Sequence, residues 1–166
     1  QAGQTAVVLA TAQEALGVLA IGDRLRPEAA QALQALRRLG IRRTVMLTGD
    51  NEGTTRAVAT RLRIDEYRAG LLPDDKVEVV RELESRGERV VFVGDGINDA
   101  PALATATVGI AMGAAGTDVA LETADIALMA DDLSKLPIAL QVSRKTLRII
   151  KQNIGLSLIN KAVFIV

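Results

Sequence analysis

The sequence predicts an α/β fold: a doubly wound parallel sheet, with a short pair of antiparallel strands before it and a long helix after it. Short apolar runs alternate with amphipathic helical segments, an order typical of parallel strands joined by crossover helices. Two of these runs end in turns that combine glycine with acidic residues, TGDN at 48–51 and GDGIND at 94–99. From residue 132 the pattern is helical to the end.

The first elements of the chain are defined by apolar runs and by helix-ending residues. Apolar stretches at 5–10 and 15–21 predict the antiparallel pair of strands. A helix starts at Pro27, because proline is favoured in a first helical turn, and it ends at Gly40. The run at 43–48 is the first strand of the predicted parallel sheet.

Strands and helices alternate after this point. Helices are predicted from near Glu52 and from Pro73, and a shorter one follows Pro101. The run VVFV at 90–93 is β-branched apart from Phe92, which predicts a strand buried on both faces. Further strands are predicted at 67–69, 108–111 and 124–129, with helical turns at 117–123.

Composition excludes several classes of site. The chain has 166 residues with 20 basic and 20 acidic side chains, so it lacks the basic excess of a nucleic-acid-binding protein. It contains no cysteine and no histidine, which excludes disulfides, thiolate metal sites and a histidine general base. Any catalysis must rest on carboxylates, lysine, hydroxyls and backbone amides.

Donor groups suited to a phosphoryl group are predicted at one edge of the sheet. Parallel order brings the carboxyl ends of the strands at 43–48 and 90–93 to the same edge, where ligands bind in open α/β sheets. Thr48 offers a hydroxyl there, and the Gly49 amide can approach a ligand closely. Lys76, at the start of its helix, is expected to reach this edge and neutralise phosphate charge.

A magnesium site is predicted on the turn after residue 93. Gly94 and Gly96 bracket Asp95 where a Cβ would obstruct close approach, and Asp99 follows on the same turn. Mg²⁺ prefers a few carboxylates together with water and phosphate oxygens.

Each of these features has a plainer interpretation. Asp95 and Asp99 could cap the helix that follows them, and the Thr-Gly-Asp turn could be a helix cap as well. A single lysine such as Lys76 is usually exposed to solvent. The combination in this order favours the phosphate and magnesium interpretation.

The motifs together resemble a known family. TGDN (48–51), PDDK (73–76) and GDGINDAPAL (94–103) are similar to the phosphorylation domain of P-type cation ATPases, within the haloacid-dehalogenase-like superfamily. MGAAGTDVALETADIALM (112–129) and GDRLRPEA (22–29) resemble the heavy-metal-transporting branch. The resemblance covers essentially the whole chain.

The resemblance implies a role for each residue at the strand ends. Thr48 and Gly49 would bind the phosphoryl oxygens, and Asp50 would lie beside them near the nucleotide, ATP. Lys76 would stabilise the transferred phosphoryl group.

The same resemblance implies the metal ligands. Asp95 would be a catalytic Mg²⁺ ligand, and Asp99 would support the metal. Asn98 would support the phosphate.

It also implies a division of the chain. Residues 1–22 would be the last strands of a nucleotide-binding domain and its hinge, 23–143 the phosphorylation domain, and 144–166 a stalk and the start of a truncated transmembrane helix. The family phosphorylates an aspartate in a DKTGT motif, which this sequence does not contain. We therefore expect the chain to be inactive alone and to depend on nucleotide-binding, actuator and membrane domains of the same polypeptide.

The end of the chain predicts contact with a membrane. After Asn153 there are 13 almost wholly apolar residues, against the ~20 that span a bilayer, and a basic flank precedes them. We expect a membrane protein in which residues 1–151 are cytoplasmic. The alternative is an amphipathic helix that packs on the domain's own sheet.

Lys161 lies inside this apolar segment, where a charge is costly and usually functional. A lysine at this place resembles the zinc-, cadmium- and lead-transporting group, so the expected substrate is a divalent heavy-metal ion and Lys161 would lie near its path. A copper- or cobalt-type pump remains an alternative.

Two interpretations that assign the chain to other functional classes remain open. A stand-alone haloacid-dehalogenase-like phosphatase would need an early aspartate nucleophile, and Asp23 is the only aspartate before Thr48. A non-catalytic, receiver-like module that binds phosphate or Mg²⁺ is the other.

Overall fold

The computed structural model describes residues 5–21, 24–95, 98–113, 122–128 and 132–165. The strands are β1 (Thr5–Ala10), β2 (Ala15–Ile21), β3 (Val45–Leu47), β4 (Glu66–Arg68), β5 (Val91–Gly94), β6 (Val108–Met112) and β7 (Ile126–Leu128). The helices are α1 (Ala29–Arg38), α2 (Glu52–Leu62), α3 (Pro73–Ser85), α4 (Ala100–Thr105) and α5 (Lys135–Ile165). Most of the helical turns predicted at 117–123 lie outside the described residues.

The predicted pairing of the strands is confirmed. β1 and β2 are antiparallel, with Thr5 opposite Ile21. β3 pairs with β4 in parallel, and β5, β6 and β7 form a parallel sheet in that order. In the part of the chain that the structure describes, these parallel strands are hydrogen-bonded as two sheets rather than as one continuous sheet.

One core joins β5 and β6 to α3 and α4. Val80 of α3 and Leu103 of α4 are fully buried and pack with Phe92 of β5 and Ala111 of β6. Leu47, at the end of β3, packs against the same cluster. Burial of a large aliphatic side chain contributes roughly 1.5–3 kcal/mol, so this cluster holds the loops after β3 and β5 in place.

The prediction that residues 90–93 are buried on both faces is wrong. Phe92 is 9% exposed, whereas Val91 and Val93 on the opposite face are 49% and 36% exposed. The reason is that α3 and α4 both pack on the Phe92 face. Apolar side chains predict the strand, but their burial depends on which elements cover each face.

The amino ends of β3 and β4 are held by a polar cluster around Asp65. Its carboxylate accepts hydrogen bonds from the Thr44 hydroxyl at 2.6 Å and the Thr44 amide at 2.8 Å, and Arg37 lies at 3.3 Å. The bonds from Thr44, aided by Arg37, hold the pKa of the Asp65 carboxyl below its ordinary value.

We expect Asp65→Asn to lower the stability of the chain at neutral pH, with a difference that disappears in acid. Because the pKa is depressed in the folded state, the carboxylate stabilises the fold above the ordinary aspartate pKa. That stabilisation is lost as the pH falls through the lower folded value. Thermal unfolding across the acid range measures it, and Glu14→Gln, an exposed acid at the β1–β2 turn, is the control. A constant difference at all pH values would contradict the assignment.

Among the described residues, only the first part of α5 packs on the domain. Leu136 is buried, and the Arg144 guanidinium donates to the Leu39 carbonyl at the end of α1. Farther along, Leu158 is 62% and Phe164 87% exposed, so the alternative in which this segment packs on the sheet is wrong. Within the described residues, no helix has both the length and the apolarity needed to cross a bilayer.

Candidate functional site

An ion pair between Lys76 and Asp99 lies at the carboxyl edge of β5. The Lys76 Nζ is 2.6 Å from the Asp99 Oδ1, and the two side chains are 15% and 14% exposed. Lys76 lies in the first turn of α3, which begins at Pro73 and is fixed by the Asp75 carboxylate accepting from the Leu72 amide at 2.8 Å. The interpretation of Lys76 as an ordinary exposed lysine is therefore wrong.

Gly94 makes room for this pair. A Cβ on Gly94 would lie 2.6 Å from Oδ2 and 2.7 Å from the Cβ of Asp99. Asp99 occupies the position before α4 but makes no side-chain capping bond there. The helix-cap interpretation of Asp99 is thus wrong, because its carboxylate is directed to Lys76 instead.

The loop after β3 is hydrogen-bonded to β4 and to the segment that leads into α3. The Thr48 amide donates to the Arg68 carbonyl at 3.1 Å, and the Thr48 carbonyl accepts from the Leu71 amide at 3.0 Å. Gly49 lies against the Leu71 carbonyl, which a Cβ would approach at 3.3 Å. Because Leu72 precedes α3, these bonds connect the Thr48 loop to the helix that carries Lys76.

The residue of this loop that caps a helix is Asn51, and not Thr48 or Asp50. The Asn51 side chain accepts from the Thr54 amide at 3.0 Å and caps α2. The Thr48 hydroxyl accepts from the Asp50 amide at 3.1 Å, and the Asp50 side chain is exposed. Thr48 and Asp50 therefore shape the loop and leave the capping to Asn51.

The remaining predicted residues lie in two different places. Asp95 directly follows β5, and Asn98 precedes Asp99; both are exposed at this edge. Residues 96 and 97 lie outside the described residues. Lys161 is exposed on α5, an element that carries none of the other site residues.

The residues present fit Mg²⁺ in chemistry. Asp95 and Asp99 supply hard carboxylate oxygens, and Gly94 leaves room for the Asp99 side chain. Among the described residues, no group of three or more acidic or histidine side chains could hold a metal ion. Two carboxylates match the way Mg²⁺ is bound together with substrate phosphates, as opposed to an all-protein cage.

Sequence reasoning missed the direct pairing of Lys76 with Asp99. It assigned one to phosphate and the other to metal, without a contact between them. The signal that was available is their opposite charge at the same sheet edge. The capping bond from Leu72 to Asp75 was also missed, although an acid three residues after a helix start is a recognised signature.

A comparison with known families decides the membership of the chain. The model of the haloacid dehalogenase-like hydrolases matches residues 1–107. The chain belongs to this family of hydrolases. The match to the haloacid dehalogenase-like hydrolases covers β1 to β5 and α1 to α4.

This haloacid dehalogenase-like domain matches heavy-metal P-type ATPases at about half of its residues. It is 53% identical over 152 residues to a cadmium-transporting ATPase of Staphylococcus aureus, covering 92% of this chain and 21% of the relative. It is 50% identical over 155 residues to a manganese-exporting P-type ATPase of Mycobacterium leprae strain TN, covering 93% and 21%. The chain spans about a fifth of the length of these relatives.

A solved structure of a heavy-metal P-type ATPase is similar to this chain as well. The crystal structure of a zinc-transporting PIB-type ATPase in an E2.Pi state matches with a TM-score of 0.84 and 47% identity. The match covers 98% of this chain and 26% of that one. The resemblance to the heavy-metal branch of P-type ATPases is confirmed.

Proposed function

We propose that this chain is part of an ATP-driven exporter of divalent heavy-metal ions and supplies the magnesium- and phosphate-binding half of its phosphorylation site. The observation that carries the proposal is the Lys76–Asp99 pair at 2.6 Å, beside the end of β5 that Asp95 directly follows. A largely buried ammonium beside a carboxylate suits a site that binds phosphate and a hard cation. The names of relatives about half identical to the chain support a metal as the cargo.

Each residue has a role in this proposal. The Thr48 hydroxyl and Gly49 amide bind phosphoryl oxygens, and Lys76 stabilises the charge of the transferred group. Asp50 lies on the nucleotide side, and Asn98 supports the phosphate.

Asp95 and Asp99 would hold Mg²⁺, which when bound would neutralise phosphate charge. The phosphoryl acceptor is an aspartate in another segment of the polypeptide, so the chain alone does not turn over ATP. The exposed faces of β1 and β2 support contact with further parts of a nucleotide-binding domain, since Val8 and Leu19 are 59% and 61% exposed.

The metal is tested by the ATPase activity of the full-length protein that contains this chain. We expect stimulation by zinc, cadmium and lead, weaker stimulation by manganese and cobalt, and none by copper. Lys161→Ala should lower the zinc-stimulated rate at least tenfold, because Lys161 contributes a positive charge near the ion path.

Lys145→Ala, an exposed lysine on the same helix, is the matched control and should leave the rate unchanged. An unchanged rate for Lys161→Ala would remove the role assigned to that lysine. Steady ATP turnover by the purified 166-residue chain, abolished by Asp95→Ala, would contradict the proposed division of the site.

A further inference from the structure

The charges of this chain are divided along its length. All 20 acidic residues lie before residue 133, together with fourteen of the 20 basic residues. From residue 133 onward there are six basic residues and no acidic one. The net charge of zero is therefore the sum of an acidic domain and a basic helix, α5.

The basic residues of α5 are aligned on one side. Arg144, Arg148 and Lys151 follow one another at intervals of four and three residues, the spacing of neighbours on a helical face. With Leu147 and Gln152 they line a shallow concavity of about 480 Å³. Arg144 is anchored to the Leu39 carbonyl, which fixes one end of this basic face on the domain.

An apolar segment follows the basic face along α5. Ile154 begins about 5 Å farther along the axis than Lys151, at 1.5 Å per residue. Ile154, Leu158 and Phe164 are 56%, 62% and 87% exposed. The order along α5 is thus domain, basic face, apolar segment, with no acidic side chain in the last two.

We propose that the basic face formed by Arg144, Arg148 and Lys151 binds the headgroups of anionic phospholipids at the membrane surface. This rests on the proposed function, which places the chain in a membrane protein. The positive charge of this face favours an anionic ligand, because phospholipid phosphates meet three aligned cations and no competing carboxylate on this helix. The adjoining apolar segment favours phospholipids over a free phosphate as the ligand. This segment requires an acyl layer next to the headgroups, and a soluble phosphate supplies none.

The experiment measures binding of the 166-residue chain to vesicles. Vesicles of mixed phosphatidylglycerol and phosphatidylcholine are compared with vesicles of phosphatidylcholine alone. R148Q/K151Q should lower the partition coefficient on the anionic vesicles about twenty-fivefold, because each basic side chain near an anionic surface contributes about fivefold. R56Q/R61Q removes the same charge from exposed positions of α2 and should leave binding unchanged.

Salt gives a second measurement on the same samples. Raising the ionic strength from about 0.1 M to about 1 M shortens the screening length from about 10 Å to about 3 Å. Binding of the unmodified chain should fall with salt, and binding of R148Q/K151Q should change much less.

Three outcomes would overturn the proposal. These are equal binding of R148Q/K151Q and the unmodified chain, equal binding to both kinds of vesicle, and an equal loss in R56Q/R61Q. Circular dichroism of each variant verifies that it is folded. The assay uses neither ATP nor a transported metal, so its result is independent of whether metal-stimulated ATPase activity is found.

Discussion

Lys76→Met should lower the free energy of unfolding of this chain by about 2–3 kcal/mol. Breaking a buried ion pair by removing one partner costs about 3–5 kcal/mol, because the other charge is left uncompensated. The Lys76 and Asp99 side chains retain 15% and 14% exposure, so solvent screens part of that cost. Chemical denaturation of the chain, followed by circular dichroism, measures the change.

A double-mutant cycle separates the contribution of the ion pair to stability from the contribution of the methylene groups of Lys76. Asp99→Asn in the Lys76→Met background removes the stranded carboxylate and should restore much of the lost stability. Lys135→Met is the matched control, because Lys135 pairs with Asp132 at 3.7 Å while 51% exposed and should cost less than about 1 kcal/mol. Additive effects of the two site substitutions would show that the pair does not stabilise the fold.

Local patterns predicted the strands and helices because the information for them is local. Pro73 and Gly87 delimit α3 in the sequence, and the observed helix Pro73–Ser85 ends just before that glycine. Alternating strands and helices predicted parallel pairing for the same reason. The division of the parallel strands into two sheets was not predicted, because strand neighbours depend on contacts between distant segments.

The contact between Lys76 and Asp99 could not be predicted from the sequence. The sequence predicts that Thr48, Lys76 and Asp95 share one edge, through the rule that parallel strands end together. It could not show that Lys76 and Asp99, 23 residues apart, meet at 2.6 Å, since that distance depends on how α3 packs against α4. The exposure of Val91 likewise depends on a neighbouring element and not on the valine.

Gly109→Ala should be the most destabilising single methyl addition in the described chain, at about 3 kcal/mol. A Cβ on Gly109 would lie 2.4 Å from the Leu103 carbonyl oxygen and 3.0 Å from its carbon. Both atoms belong to backbone next to a fully buried side chain, so the clash can be relieved only by separating α4 from β6. Gly17→Ala is the control, because its Cβ would meet nothing within 4 Å.

Gly94→Ala tests the candidate site by adding a methyl group in the same way, but this methyl group meets a side chain instead of backbone atoms. Here the obstacles are Oδ2 of Asp99 at 2.6 Å, which can rotate away, and the Cβ of Asp99 at 2.7 Å, which cannot. The methyl group should therefore cost about 2 kcal/mol, because the turn at Asp99 must shift and the shift displaces the Asp99 carboxylate from Lys76. Combining Gly94→Ala with Lys76→Met distinguishes the two effects: if the methyl acts through the ion pair, the double variant is little less stable than Lys76→Met alone. A fully additive loss, measured by the same denaturation, would mean that Gly94 serves the β5 backbone and does not position Asp99.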